Sequence, residues 1–589
     1  REPETQVQRV SFLISALTAR LETTGQAILL WIGHARWRAM LVIALVSLAV
    51  ALPGLHSLPV TDRDEARFAQ SSKQMLESGK FIDIRLQEEP RWKKPVGIYW
   101  LQAVSAKLFG GGAEAGISAY RIPSVLGVLA AALLTAWAAW PLIGGRGAAL
   151  AGVMLATSLL VAVEAHLAKT DAVLLATATA ALAVLARLSQ GAVSRPVAII
   201  FWLVIAAAIL LKGPVVPALV GLTLLVLWVL GQRLPLGPLE PLRGLALVAL
   251  TVAPWLIAIT YVSGGAFFAE ALGRDFGAKL VSGQEKHWGP PGLYLALIWL
   301  TFWPWAALIP AALPWLWQRR RTDWLILFAA WLIPFWLVLE IVPTKLPHYV
   351  LPLYPALAIM LSSWASAEAP VTGRLGRIAG AALIAIPGAV LVALVVLLPL
   401  VLTVGGAGLL TGGRPDPIPS HVSWPAILLG LAGGAALIVA ASAASKGQII
   451  AQISGSILAV LCLYPAAFSF ALPALGTVFP SPHLAAMISK YRACATGPAI
   501  SVGYHEPSLV FLTETDIRLG DAAAAAEALR DDPGALVLVE ERWRDRIGEE
   551  ALAGTVERAR TSYFNYNRGK AETAYLITPD DPRWQACGA

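Results

Sequence analysis

Long apolar runs dominate the first 480 residues of this chain. They are about 17–25 residues long, the length that carries an α-helix across the hydrocarbon core of a bilayer. Hydrophobic residues make up 57% of the 589 residues and charged residues only 14%, which is too little charge to cover a water-soluble protein of this size. The sequence therefore predicts a polytopic α-helical membrane protein, whose helices satisfy their own backbone polar groups.

About thirteen transmembrane helices are predicted from these runs. Very short turns at Lys169 and Lys212 divide two of the longer apolar stretches. The predicted helices lie near residues 39–56, 119–142, 148–166, 171–188, 197–211, 214–231, 244–262, 291–316, 324–342, 349–365, 379–404, 423–441 and 448–474.

The connections between these helices alternate in character. One set carries arginines, and the positive-inside rule makes that set and the N-terminus cytoplasmic. An odd number of helices then places the C-terminal region outside, on the same face as the long loop at 57–118. The other connections are short and carry isolated ionisable residues, namely Lys169, Asp171, Lys212, His287, Lys345 and His348. Any one of these lysines fits snorkelling to headgroups, but their convergence on one face indicates a shared polar cavity.

A charge-dense segment at 61–100 interrupts the apolar pattern. Its spacing predicts a helix lying on the membrane surface over 64–79, ended by Gly79, and a second short helix over 97–109. Net charge is +8, which in a membrane protein favours contact with anionic lipids over contact with nucleic acid.

Asp64 and Glu65 fall in the first turn of the predicted surface helix. Acids there commonly compensate the helix dipole, and the alternative is a general base aimed into the outer cavity. Lys94 similarly fits either a headgroup contact or a phosphate clamp. A sugar carried on a lipid phosphate would use both kinds of group, since cations stabilise the departing phosphate and a carboxylate activates the acceptor.

Several short motifs occur in order along the chain and together resemble the GT-C membrane glycosyltransferases. The nearest relatives by these motifs are the lipid A aminoarabinose transferases and the wider protein-mannosyltransferase-like group. The motifs are RDEARFA at 63–69 followed by ML-x-SG at 75–79, KP at 94–95 leading to YW at 99–100, KTDA at 169–172, KGP at 212–214, F-x-PW at 302–305 and PTKLPHYVLP at 343–352.

The resemblance implies a polyprenyl-phosphate-sugar donor and inverting transfer at the outer face of the bacterial inner membrane. It implies that Asp64 is the catalytic carboxylate, Asp171 a second acid and Lys94 the residue that holds the donor phosphate, with Lys345 and Tyr349 lining the donor side. Glu65 is a further catalytic candidate. The other residues predicted to bind substrate are Arg63, Arg67, Lys169, Lys212 and His348.

Two positions depart from the family pattern. Lys93 stands where the family often has the Glu that, with a later His, can hold a divalent metal. His287 matches that His, so a metal is a possible cofactor, but one His does not make a metal site. Trp288 stands where the aminoarabinose enzymes tend to have Arg. The sugar and the acceptor therefore stay open, although lipid A or another envelope glycolipid is expected before a protein acceptor.

Residues 480–589 differ in composition and predict a small C-terminal α/β domain after a cytoplasmic segment at 1–37 and a catalytic transmembrane domain at 38–479. Cys494 and Cys587 flank this region and can pair in an oxidising compartment. The predicted strands are 499–503, 535–540, 558–563 and 574–578, with a helix at 521–530. Residues 503–507 are either a plain strand-to-helix connection or a lid or acceptor contact over the cavity.

Two rival functions belong to other classes. A flippase for a polyprenyl-linked glycan would show internal repeats and polar residues at the bilayer midplane, whereas here the ionisable residues cluster at one face. A non-catalytic lipid-binding protein would keep working with Asn at position 64, whereas an enzyme would lose turnover.

Overall fold

The computed structural model describes residues 2–271, 273, 288–368, 370, 372–404 and 408–587. A long helix, Glu2–Gly33, packs on the helices Trp424–Lys446 and Ile449–Pro465. The Glu22 carboxylate accepts a hydrogen bond from the Ala451 backbone N–H at 2.7 Å. This contact satisfies a donor at the start of the helix Ile449–Pro465, where the first N–H groups have no partner within the helix.

Eight helices among the described residues are long and apolar enough to cross a membrane. A ninth span arises if Leu293–Thr301 and Trp305–Gln318, which meet at an angle of 106°, count as one. The protein is therefore a multi-span membrane protein. The eight helices are Ile117–Thr157, Asp171–Leu188, Arg195–Lys212, Gly237–Ser263, Asp323–Ile341, Arg374–Val404, Trp424–Lys446 and Ile449–Ala471.

The predicted count of thirteen spans is not confirmed, although every predicted segment is at least partly helical. Gly144, with φ +74°, breaks Ile117–Thr157 into two helices that the sequence separates as two spans. The remaining difference is length, because several helices are shorter than a bilayer requires. These shorter helices are Arg36–Ala51, Leu159–Ala165, Val215–Val229 and Tyr354–Ala365, the last preceded by a 3-10 turn at Pro347–Leu353.

The charge-dense segment folds into the predicted pair of helices, Asp64–Ser78 and Gly97–Phe109. The first of these is called the loop helix. Gly79 ends it in the left-handed conformation, φ +68°, which glycine adopts without steric cost. A hairpin of two short strands, β1 (Arg85–Leu86) and β2 (Glu89–Pro90), lies between the helices.

The loop helix does not lie open on a surface, because nine of its residues are buried. Four residues on one side of it, Ala66, Ala69, Ser72 and Met75, are at most 2% exposed. The Ser72 hydroxyl donates to the Gln102 side chain at 2.7 Å, which ties the loop helix to the helix behind it.

The C-terminal domain, residues 481–587, contains a five-stranded mixed sheet in the order β4-β3-β5-β7-β6. Strands β3, β4 and β5 run parallel, and β7 pairs antiparallel with both β5 and β6. The strands are β3 (Ile500–Val502), β4 (Arg518–Gly520), β5 (Val537–Glu540), β6 (Thr555–Asn565) and β7 (Lys570–Pro579). The helices of the domain are Ser481–Arg492, Pro507–Leu512, Ala522–Asp531, Glu541–Ile547 and Glu549–Leu552, with a 3-10 turn at Pro582–Gln585.

Both faces of this sheet are covered, which explains the uninterrupted apolar run in β5. Leu538 faces the helix Ser481–Arg492, whereas Val537 and Val539 face the helix Ala522–Asp531. A disulfide joins Cys494 to Cys587, with a Cα–Cα distance of 6.3 Å. The α/β class predicted for this region is confirmed, and β4 is the strand that the sequence prediction missed.

The C-terminal domain docks on the loop helix. The Lys73 ammonium donates to the Phe511 carbonyl at 3.2 Å, and the Gln70 amide donates to the Thr515 hydroxyl at 2.7 Å. The Tyr120 ring meets the Phe511 ring edge-on at 5.4 Å between centroids. The loop helix is therefore held between the membrane helices and the C-terminal domain.

Candidate functional site

A cluster of buried charges lies where three connections meet. Asp171, the first residue of its helix, accepts a hydrogen bond from Lys212 Nζ at 2.5 Å through Oδ1. Its other oxygen, Oδ2, is 3.5 Å from Lys169 Nζ and 3.8 Å from His348 Nε2. The Lys169 ammonium also lies 3.3 Å from His348 Nδ1. The structure thus brings together four residues that the sequence places at the ends of separate helices, and we call them, with Glu164, the charged cluster.

Glu164 is the member that the sequence analysis missed. Its Oε1 lies 2.8 Å from Lys169 Nζ, and its side chain is only 2% exposed. Two carboxylates therefore balance the two ammonium groups of Lys169 and Lys212 in a site that excludes water, as a buried charge requires. The sequence feature that points to Glu164 is its position inside the predicted apolar helix 148–166. An acidic residue is costly in such a helix unless it is paired.

Asp64 lies at the edge of this cluster. It is the exposed first residue of the loop helix. Burial would lower the pKa of Lys169, but the Glu164 and Asp171 carboxylates raise it above its ordinary value, and the Asp64 charge acts in the same direction. Asp64 is thus an accessible carboxylate within the electrostatic reach of a buried ammonium, a setting suited to an acid that must meet a substrate.

Glu65 has a different environment from its neighbour. It is 1% exposed and accepts hydrogen bonds from Arg121 Nε at 2.7 Å and Arg121 Nη2 at 3.0 Å. It also accepts from the Thr61 N–H and hydroxyl and from the Ala168 N–H. Burial opposes ionisation, but the Arg121 guanidinium holds the pKa of Glu65 below its ordinary value.

Both carboxylate oxygens of Glu65 are occupied by these partners, so its contacts favour a structural ion pair over the predicted catalytic role. The Arg121 guanidinium also donates to the carbonyls of Leu55, Leu58 and Pro59, each within 3.1 Å. Through the Ala168 N–H, the pair also fixes the start of the loop helix against the turn that carries Lys169. Glu65 therefore positions Asp64 next to the charged cluster.

An apolar groove opens beside the cluster. It has a volume of about 350 Å³, and three lysines, Lys93, Lys94 and Lys212, line it together with hydrophobic side chains. Lys212 belongs to both features, since its ammonium binds Asp171 and lies 5.2 Å from the centroid of the Tyr349 ring. The apolar lining consists of Pro95, Ile209, Leu210, Gly213, Pro214, Pro217, Val252, Trp255, Leu256, Phe267, Phe268 and Ala271.

Lys345 does not join the cluster. Its ammonium donates to the carbonyls of Leu339, Glu340 and Val342, at 2.6–2.8 Å. These carbonyls form the C-terminal end of the helix Asp323–Ile341, where a cation compensates the helix dipole. The predicted donor-side role of Lys345 is therefore not supported by its contacts, and its three donors cap this helix instead.

Arg63 and Arg67 lie on the side of the loop helix near the C-terminal domain. Arg63 Nη2 donates to the Asn567 carbonyl at 3.5 Å. Burial raises the pKa of Glu506 above its ordinary value, and the charges of Arg63 and Arg67 oppose this increase. Glu506, in the connection after β3, is therefore near both arginines, and the predicted strand-to-helix connection at 503–507 is also where the C-terminal domain approaches the site.

The predicted metal ligand His287 lies outside the described residues. Within the described ranges, no group of three or more His, Cys, Asp and Glu side chains is arranged to hold a metal ion. The divalent metal stays a prediction from the sequence.

Known proteins resemble this chain in both sequence and structure. A family model for dolichyl-phosphate-mannose-protein mannosyltransferase matches residues 93–257. ArnT from Cupriavidus metallidurans in the apo state has a TM-score of 0.68 at 20% identity, covering 91% of this chain and 97% of that one. The same protein bound to undecaprenyl phosphate has a TM-score of 0.66 at 21% identity, with the same coverage. This chain has the ArnT fold.

Two curated relatives carry the same printed name, undecaprenyl phosphate-alpha-4-amino-4-deoxy-L-arabinose arabinosyl transferase. The relative from Edwardsiella ictaluri is 29% identical over 362 residues, which cover 59% of this chain and 62% of that protein. The relative from Pectobacterium carotovorum is 28% identical over 357 residues, with the same coverage. This chain thus aligns with less than two thirds of the length of these relatives. The resemblance to GT-C transferases seen in the motifs is confirmed.

Proposed function

We propose that this protein is an inverting glycosyltransferase that moves a sugar from a polyprenyl-phosphate-linked donor to lipid A or a related envelope glycolipid. The observation that carries the proposal is the junction of the apolar groove, its three lysines and the charged cluster at Lys212. An isoprenoid tail fits the apolar lining of the groove, and its phosphate fits the three lysines that line it. Undecaprenyl phosphate is bound in one of the ArnT structures and named in the curated relatives.

The proposed reaction uses one carboxylate, Asp64, and the lysines that line the groove. The Asp64 carboxylate accepts the proton of an acceptor hydroxyl, whose oxygen attacks the anomeric carbon of the donor sugar. The bond between that carbon and the phosphate oxygen breaks, and its electron pair leaves on the polyprenyl phosphate. Lys94, with Lys93 and Lys212, stabilises the charge that develops on the phosphate. Attack on the face opposite the leaving phosphate inverts the configuration of the anomeric carbon.

The charged cluster holds Lys212 in the lining of the groove. Asp171 binds the Lys212 ammonium, and the Lys169–Glu164 pair fixes the turn before Asp171. Opposite charges therefore balance inside the cluster. Asp171 is then a positioning residue for the donor site and does not itself transfer a proton in the reaction.

The proposed site lies at the outer face of the bacterial inner membrane. The N-terminal segment is then cytoplasmic, and the C-terminal domain lies in the periplasm. Arginine-rich connections support this orientation, since they favour the cytoplasmic side. Donor and acceptor are both amphiphiles, so a site at the level of the headgroups lets their hydrophobic tails stay in the bilayer.

Replacement of Asp64 by Asn tests the catalytic assignment. Purified D64N protein with an undecaprenyl-phosphate sugar and a lipid A acceptor is expected to lose at least about 100-fold in turnover, as loss of a general base does. Binding of undecaprenyl phosphate alone is expected to be unchanged. The matched control is Glu89→Gln, which neutralises an exposed acid of the same loop. Normal transfer by D64N would show that Asp64 is not the base.

A further inference from the structure

Two of the contacts between the C-terminal domain and the first loop lie at different distances from Asp64 along the chain. One contact is at the middle and end of the loop helix, where Thr515 accepts from Gln70 at 2.7 Å and donates to Glu77 at 2.7 Å. The other contact is at Asp62, two residues before Asp64. Both contacts hold the domain on the loop, but only the second is next to the proposed catalytic carboxylate.

Asp62 is held by three residues of the C-terminal domain. Its Oδ1 accepts a hydrogen bond from the Ser508 hydroxyl, and its Oδ2 accepts from Asn567 Nδ2 at 3.4 Å. Its backbone N–H donates to the Tyr566 hydroxyl at 2.9 Å. Side chain and backbone are thus both fixed, which leaves this residue little freedom to turn.

The partners of Asp62 are fixed within their own domain. Ser508 shares a hydrogen bond with the Ser481 hydroxyl, which also bonds the Tyr504 hydroxyl at 2.6 Å. The turn that carries Tyr566 and Asn567 is closed by Asn565 Oδ1, which accepts from the N–H groups of Asn567 and Arg568. The C-terminal domain therefore presents a preformed surface to Asp62.

The residue between Asp62 and Asp64 has a strained backbone. Arg63 has φ +66° and ψ −104°, in a region that residues with a Cβ rarely occupy. Such a conformation persists only where contacts on both sides impose it. On one side, Glu65 is locked by Arg121 and by the Thr61 N–H. On the other side, Asp62 is held by the C-terminal domain.

We propose that Asp62 is a positioning residue through which the C-terminal domain holds the turn at Arg63 and so directs Asp64 toward the acceptor. The proposal rests on the proposed function of Asp64 as the base. It assigns the C-terminal domain a role in turnover, in addition to its role as a cover of the loop helix. A small displacement of a catalytic group is enough to slow the reaction strongly.

Variants of the partners test this role without changing the loop itself. Ser508→Ala removes the hydroxyl that binds Asp62, and Tyr566→Phe removes the acceptor of its N–H but keeps the ring that packs on Phe479. Each is expected to lower kcat about 10-fold, and the KM for the undecaprenyl-phosphate sugar is expected to be unchanged. The matched control is Thr515→Val, which weakens the other contact of the same domain with the same helix.

The outcomes separate positioning from simple docking. An equal decrease in kcat for Thr515→Val would overturn the proposal, because any loosening of the domain would then suffice. Unchanged kcat in both Ser508→Ala and Tyr566→Phe, alongside an inactive D64N protein, would overturn the positioning role alone. Normal turnover of D64N would overturn the proposed function itself. Near-wild-type unfolding temperatures of the variants establish that the loss of kcat does not reflect misfolding.

Discussion

The buried ion pair of Glu65 and Arg121 allows a test of whether Glu65 has a structural role, in contrast to the neighbouring Asp64. Arg121→Met keeps most of the side-chain volume but leaves the Glu65 carboxylate buried without a counter-charge. Breaking a buried ion pair in this way costs about 3–5 kcal/mol. The three carbonyls that Arg121 binds lose their donors as well, so the upper part of this range is expected.

The double variant Glu65→Gln with Arg121→Met removes both charges and is expected to recover part of this loss. Its cost should be smaller than the sum of the two single variants, because residues in direct contact are not additive. Thermal unfolding of the purified protein in detergent measures all four members of this cycle. Strictly additive losses, or an Arg121→Met protein as stable as the wild type, would refute the assignment of a structural ion pair.

The same variants separate stability from catalysis. Glu65→Gln protein that remains folded at low temperature is expected to keep measurable transfer activity, whereas folded Asp64→Asn protein is expected to have lost it. If folded Glu65→Gln protein were as inactive as Asp64→Asn protein, Glu65 would have to act on the substrate. The comparison is informative because the two acids are adjacent in sequence and differ almost completely in exposure.

Three further predictions concern the groove, the docking contact and the disulfide. Lys94→Ala is expected to raise the KM for the undecaprenyl-phosphate sugar about 10-fold through loss of a charge-assisted contact, whereas Lys80→Ala, an exposed lysine of the same loop, should have no effect in the same kinetic assay. Burial, with the Glu506 charge acting in the same direction, raises the pKa of Asp62 to about 7, and Tyr504, Tyr566 and Arg63 are the other ionisable groups near it. The folded protein then binds a proton at Asp62 more tightly than the unfolded chain does, so the unfolding temperature should fall as pH rises from about 4 to about 7 and then level off. An equally steep decrease in Asp62→Asn protein would contradict this. Cys494 and Cys587 should react with a maleimide only after reduction, and labelling of either residue in the untreated protein would exclude the disulfide.

Much of the architecture follows from sequence pattern. Apolar periodicity located each predicted helix segment, because burial in lipid or in protein demands the same runs of hydrophobic residues. It did not give their lengths, since a short helix such as Val215–Val229 and a full span have similar composition. The break at Gly144 was predicted, because the predicted helices end at residue 142 and begin again at residue 148.

The site was predictable where the chemistry required several residues to converge. Lys169, Asp171, Lys212 and His348 lie at helix ends on one face, and the structure brings them together. Lys345 has the same sequence context, but its side chain folds back onto the helix that precedes it. The pairing of Glu65 with the sequence-distant Arg121 and the pairing of Glu164 with Lys169 across a turn were not predicted. Spacing along the chain does not specify those pairings.

The strand order of the C-terminal sheet has a consequence for biosynthesis. Strand β7 lies between β5 and β6, so β6 has no partner strand, and β5 pairs only with β3, until residues 570–579 have been made. Before that point, β3, β4 and β5 form a small parallel sheet in which β5 is an exposed edge strand, and β6 is an unpaired strand. A nascent chain at this stage needs protection from aggregation, and a truncation upstream of Lys570 would leave the membrane helices intact while preventing completion of the domain that anchors Asp62.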